Sequence, residues 1–204
     1  MRRDYQKTEG DTPLPAGYTR LNYIECNGRE YINTGVAVTP NIKLYIDIQW
    51  VDFNANNTFG TENWNSNNVI LRINQNSTGT EIVYGNTSGT GYTSYNSHDY
   101  PNTNRQTFYI ENEHQYINNV EVSQGKMTYT GSTYIYYFCS NTNYNVAQYL
   151  CKKARLYYSW IKNGVTLVRE FIPALRVSDS KPGLYDTVND VFYTNAGRGE
   201  FLYA

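Results

Sequence analysis

Paired carboxylates, thiols, imidazoles and aromatic rings set among amides are the groups in this sequence that could do chemistry. Retaining glycoside hydrolysis needs two carboxylates about 5–5.5 Å apart, which on one strand face means positions i and i+2 or i+4. The closest approach to that pattern is Glu111-Asn112-Glu113, with His114 on the opposite parity. Asp47 stands alone on its strand. There is no Gly-x-Ser-x-Gly elbow, phosphate loop or His-Glu-x-x-His. The chain therefore reads as a binder, not an enzyme. Cys26, Cys139 and Cys151 share no metal-ligand spacing, and the only histidines are His98 and His114. Buried reduced thiols are the expectation, with a Cys139–Cys151 bridge left open. No metal or other cofactor is expected; calcium stays open, without an EF-hand-type ligand run behind it.

Recognition chemistry is better represented. Trp64, Tyr92, Tyr95 and Tyr100, with Asn96, lie in two Asn-, Ser-, Thr- and Gly-rich stretches, Asn54–Asn68 and Gly85–Asn104. Aromatic rings offer flat apolar contact to the C–H face of a sugar, and amides grip its hydroxyls. Asn65, Asn67, Asn143 and Tyr144 extend the set. These five residues, Trp64, Tyr92, Tyr95, Asn96 and Tyr100, are the candidate ligand-binding group, carried on two long loops.

The elements that must position them are strands. Asn41–Phe53 alternates Ile42, Leu44, Ile46, Ile48 and Trp50 with Lys43, Tyr45, Asp47 and Gln49. Period two with β-branched and aromatic residues is a half-buried strand. The rhythm recurs in Val69–Ile73, Glu81–Tyr84, Thr107–Ile110, Gln115–Val122, Thr133–Phe138, Arg155–Ile161, Thr166–Ile172 and Val191–Tyr193. Asn27-Gly28 and Asn163-Gly164 suit type I′ hairpins, with Asn118-Asn119 and Asn189-Asp190 as weaker versions. Helix is expected at most as one short turn within Asn145–Lys153. About a dozen short strands predict an all-β, two-sheet antiparallel sandwich.

Composition narrows the partners. The 204 residues include 22 Tyr and 26 Asn, only 17% are charged, and the net charge is −1. A nucleic-acid ligand would need clustered Lys and Arg, and no run approaches the ~20 apolar residues of a membrane-spanning helix. Residues 1–15 (MRRDYQKTEGDTPLP) hold no apolar secretion-signal core and two prolines, and read as an extended arm before a domain at 16–204.

Two segments carry a more specific signal. Leu14–Val36 reads LPAGYTRLNYIECNGREYINTGV, and Lys153–Phe201 ends in LVREFIPALRVSDSKPGLYDTVNDVFYTNAGRGEF. They resemble the opening and closing hairpins of a concanavalin A-like (laminin-G-like) jelly-roll family found in phage and prophage structural proteins and gut-bacterial surface proteins. Cys26 departs from the small polar residue more usual there, and residues 50–140 match only in strand rhythm. The resemblance implies a jelly-roll sandwich with opening and closing strands paired. Arg169, Arg176, Asp179 and Asp186 are then structural polar ties. Together with the polar, aromatic composition and the arm, the resemblance points to a non-enzymatic phage virion-surface protein, a head- or tail-fibre or capsid-decoration component presenting a host-glycan-binding face. The arm would join it to capsid or tail proteins, with a homo-oligomer open. A bacterial cell-surface adhesion or carbohydrate-binding module is the alternative, and a glycoside hydrolase the third reading.

Overall fold

The computed structural model describes residues 12–52, 57–63, 69–76, 79–86, 93–97, 103–111, 113–128, 130–142, 146–148 and 150–204. The strands open with β1 (Tyr18–Arg20), β2 (Ile24–Cys26), β3 (Ile32–Ala37), β4 (Ile42–Trp50), β5 (Asn57–Asn63) and β6 (Val69–Asn76). They continue with β7 (Gly79–Asn86), β8 (Thr93–Ser97), β9 (Arg105–Glu111), β10 (His114–Ile117), β11 (Val120–Gln124) and β12 (Tyr134–Tyr137). The last are β13 (Ser140–Thr142), β14 (Val146–Gln148), β15 (Ala154–Asn163), β16 (Thr166–Arg176), β17 (Lys181–Asp186), β18 (Val191–Tyr193) and β19 (Leu202–Tyr203).

They form two sheets. The first runs β11-β10-β9-β4-β15-β16-β17-β18, with β1 on β16, β2 on β15 and β19 on β2. The second runs β14-β13-β5-β6-β7-β8, with β12 joined to both β3 and β5. Pairing is antiparallel except for β13 on β5. The fold is an all-β, two-sheet sandwich of jelly-roll character, without helix among the described residues.

The core lies between the sheets. Ile42, Leu44, Ile46, Ile48 and Trp50 point into it from β4, Phe108 and Ile110 from β9, and Phe59, Leu71 and Ile82 from the second sheet. Burying each such side chain contributes about 1.5–3 kcal/mol. Trp50 meets Phe59 and Phe108 edge-on, and Tyr137 meets Phe171 likewise. The Tyr137 hydroxyl, fully buried, bonds the hydroxyl of Ser159, so its polar tip is not left without a partner.

Several local expectations are corrected. The period-two reading of Arg155–Ile161 misses a bulge between Leu156 and Tyr158 against β4. Ala154 and Leu156 face the core before it, Ser159 and Ile161 after it, because one extra residue switches the faces. The Asn163-Gly164 turn centres instead on Gly164-Val165, since Asn163 pairs with Thr166 and only Gly164 has positive φ. Conversely, Asn118 and Asn119 both take positive φ (50° and 65°) between β10 and β11, the geometry of a type I′ turn. Asn27-Gly28 makes no hairpin: β2 belongs to the first sheet and β3 to the second. The helical turn expected within Asn145–Lys153 is replaced by β14, whose backbone pairs with β13.

Gly60 marks a tight junction of the second sheet. Tyr136 of β12 and Ser140 of β13 both register opposite it. Its φ is 131°, and an added Cβ would lie 2.0 Å from the Leu71 carbonyl oxygen. Gly60→Ala is therefore expected to destabilise the fold by roughly 3 kcal/mol, the upper end of overpacking costs, measured by urea unfolding.

Candidate functional site

The two motif segments meet in space. β19 pairs with β2, and β1 with β16. Between them the Asn195 amide acts as a clasp. Its Oδ1 accepts from the N–H groups of Tyr31 (3.1 Å) and Gly197 (2.7 Å), and its Nδ2 donates to the Gly199 carbonyl (2.9 Å). Backbone bonds from Ala196 to Tyr31 and from Arg198 to Arg29 lay the closing turn along the opening segment. Gly197 makes this approach possible, because a Cβ there would sit 2.1 Å from the Arg29 carbonyl. Buried Glu30 holds the other side, accepting from the N–H groups of Asn27 (2.8 Å) and Arg29 (3.3 Å).

An open cleft of about 740 Å³ lies beside the clasp, lined by Arg29, Tyr31, Ala147, Leu150, Gly197 and Arg198 among others. Tyr31 is fixed by stacking on Tyr136, 5.5 Å between ring centroids and 10° between planes. Arg29 and Arg198 are both exposed, and no carboxylate among the described residues pairs with either. Two guanidinium forks beside an aromatic ring suit a flat ligand bearing carboxylate, sulfate or phosphate. A smaller depression of about 170 Å³ lies across the same turn and differs in charge. There Arg176 is occupied by Asp179 and Lys181 by Glu200.

Of the five sequence-named binding residues, only Tyr95 and Asn96 fall within the described residues. Trp64, Tyr92 and Tyr100 lie outside the described residues, as do Asn65, Asn67, Asn143 and Tyr144. Tyr95 and Asn96 sit on β8, opposite Ile82 and Glu81 of β7, at the edge of the second sheet. The two stretches read as loops in fact contain strands β5 and β8. β5 is central to its sheet and escaped notice because it buries polar side chains. Thr58 bonds Asn74, Thr61 bonds Thr133, and Glu62 pairs with Arg72 at 3.0 Å. Asn57 receives the N–H groups of Lys152 (2.8 Å) and Lys153 (3.3 Å).

The four named arginines and aspartates form two separate pairs. Asp186, fully buried, accepts from the N–H groups of Glu170 (3.2 Å) and Val188 (3.1 Å) and from the Asn189 amide (2.7 Å). Arg169 Nε lies 3.4 Å from it and donates to the Thr34 carbonyl at 3.2 Å, tying β16 to β3. Arg176 forks onto Asp179 at 3.0 and 2.7 Å near the surface, which holds the Asp179 carboxyl below its ordinary range.

The carboxylates considered for catalysis are engaged elsewhere. Glu111 pairs with Lys43 at 2.6 Å and Glu113 with Lys126 at 3.1 Å. The reading of His114 on the opposite face is corrected: in the β9–β10 pairing it registers directly across from Glu111, and residues directly opposite on neighbouring strands share a face. Its Nδ1 lies 2.9 Å from Glu121. Among the described residues no three His, Cys, Asp or Glu side chains converge in a metal-binding arrangement.

All three cysteines are free and buried. Cys151 donates to Asn57 Oδ1 (3.2 Å) and Cys26 to the Cys151 carbonyl (3.3 Å), so Cys151 neighbours Cys26 and no Cys139–Cys151 bridge is present.

Arg29, Tyr31 and Arg198 lie inside the quoted motifs, within NGREY and NAGRGEF, but were read there only as fold markers. Their signal was an arginine next to glycine in each of two segments expected to pair. No protein-family model matches the chain, and no curated protein matches it significantly.

Burial pushes the thiols of Cys139 and Cys151 well above their ordinary range. Thiolate, the reactive form, is therefore scarce even in mildly alkaline solution. Ellman's reagent is expected to find no reactive thiol in the native protein and three after denaturation; one or more fast-reacting native thiols would contradict this packing.

Proposed function

We propose that this chain is a non-enzymatic phage virion-surface protein of the concanavalin A-like type, a fibre or decoration component that binds host surface carbohydrate. The cleft at Arg29, Tyr31 and Arg198 carries the reading. Its ligand is an acidic glycan: the two guanidinium groups engage the anionic substituent, and Tyr31 takes the C–H face of the adjoining ring. A rigid sandwich suits this task, since the clasp presents both arginines without ordering a loop on binding. The arm, residues 1–15, is the segment through which the domain joins capsid or tail proteins. Polar and aromatic composition suits an exposed surface.

The test is a glycan screen that includes acidic host polysaccharides, with and without calcium, alongside detection of the protein in purified particles. Charge-assisted hydrogen bonds contribute about 1.5–3 kcal/mol each. With about 1.4 kcal/mol per factor of ten, Arg29→Ala combined with Arg198→Ala is expected to weaken binding on the order of 100-fold or more. Affinity should also fall with added salt. Binding of neutral glycans untouched by both substitutions would remove the cleft from the account, and absence from particles would remove the virion.

A further inference from the structure

Cys26 ends β2 and Cys151 stands just before β15, and both are fully buried in the main core cluster. The two strands pair antiparallel, with Cys26 opposite Ala154. A ladder running straight on would leave Cys151 three residues, about 10 Å, along the strand from Cys26. That is beyond the Cα separation of about 4.4–6.8 Å that a disulfide accepts.

The chain does not run straight on. It bends at Lys152 and Lys153, and Asn57 Oδ1 holds the bend by accepting both of their N–H groups and the Cys151 thiol. The bend returns Cys151 to β2, where the Cys26 thiol donates to the Cys151 carbonyl oxygen at 3.3 Å. The two thiols also act on each other directly. After burial, hydrogen bonding with the Cys26 thiol is the next cause that lifts the Cys151 thiol above its ordinary range. Cys139 is the competing partner, since the Cys151 N–H bonds the Phe138 carbonyl at 2.8 Å. That bond fixes the Cys151 backbone, whereas its thiol is aimed at Asn57.

We propose that Cys26 and Cys151 are the sites of a latent disulfide, closed by a low-molecular-weight disulfide such as glutathione disulfide when the chain folds in an oxidising medium. One cysteine gives up its proton and attacks the S–S bond of the reagent. A mixed disulfide forms, and one glutathione thiolate leaves and takes up a proton. The second cysteine, deprotonated in turn, attacks the protein-side sulfur; the Cys26–Cys151 bond forms and the second glutathione leaves as a thiol. Two protein thiols are oxidised and one glutathione disulfide is reduced. Burial sets the timing, because the finished fold excludes the reagent and disfavours thiolate, so closure accompanies folding. The bond ties the three-residue β2 to the entry of β15 across 125 residues of sequence, and closing so long a loop restricts the unfolded chain. This holds whatever the cleft binds.

The test uses the full chain, reduced and unfolded in urea, then refolded with glutathione disulfide in excess over glutathione. After acid quenching, alkylation of the remaining thiols and digestion without reductant, mass spectrometry is expected to find the Cys26 and Cys151 peptides joined. The pair should be lighter by two hydrogen atoms than the sum of its parts, with Cys139 alkylated. The urea midpoint should rise above that of the reduced protein. Cys139→Ser should form the same bridge with the same upward shift, and Cys151→Ser should lose both. A bridge from Cys139 to either partner, glutathione adducts in place of a bridge, or three alkylated thiols would overturn the proposal. The peptide map of the unaltered chain decides even where a variant fails to fold.

Discussion

Gly197 crosses Arg29 so closely that a methyl group would lie 2.1 Å from the carbonyl oxygen, far inside van der Waals contact, and the rest of the architecture is arranged around that crossing. The Asn195 amide spans it, reading the Tyr31 N–H across 164 residues of sequence. Just beyond the crossing, β19 pairs with β2. Phe201 packs in the core against Phe138, so the two motif segments meet beside the core. The same lock places Arg29 beside Arg198. Fold closure and the cleft are thus one construction, which is why the residues that mark the fold also line the site.

Polar burial is the second organising feature. Asp186, Asn57 and Thr61 sit inside the sandwich and Glu62 is buried on the outer face of the second sheet, each with partners for its polar atoms. A buried amide or carboxylate left unpartnered costs about 1–3 kcal/mol or more, so each of these groups specifies where its neighbours must lie. Asn57, for instance, fixes the backbone of Lys152 and Lys153 and receives the Cys151 thiol. In a chain this rich in Asn and Thr, such contacts take over part of the role that hydrophobic complementarity plays elsewhere.

That balance explains what could be read from the residues alone. β4 was legible because its inward face is wholly apolar and its outward face largely polar. β5 was not, since both of its faces carry Thr, Asn and Glu and its burial depends on partners distant in sequence. The bulge at Leu156–Tyr158 left no mark, because β15 is apolar or aromatic on both sides of the sheet at that point. The pairing of the opening and closing segments was readable from their motifs; the cleft was not, because Arg29 and Arg198 become neighbours only through a backbone crossing that no spacing records.

The most direct measurement of the central claim is native-state hydrogen exchange at the Tyr31 and Gly197 amides in Asn195→Ala beside the unaltered protein. Both N–H groups donate to the side chain that the substitution removes. Faster exchange at both, with a lowered melting temperature and with β6 and β7 amides still protected, is the predicted result. Unchanged protection at Tyr31 and Gly197 would mean that the segments are held together by something other than this clasp.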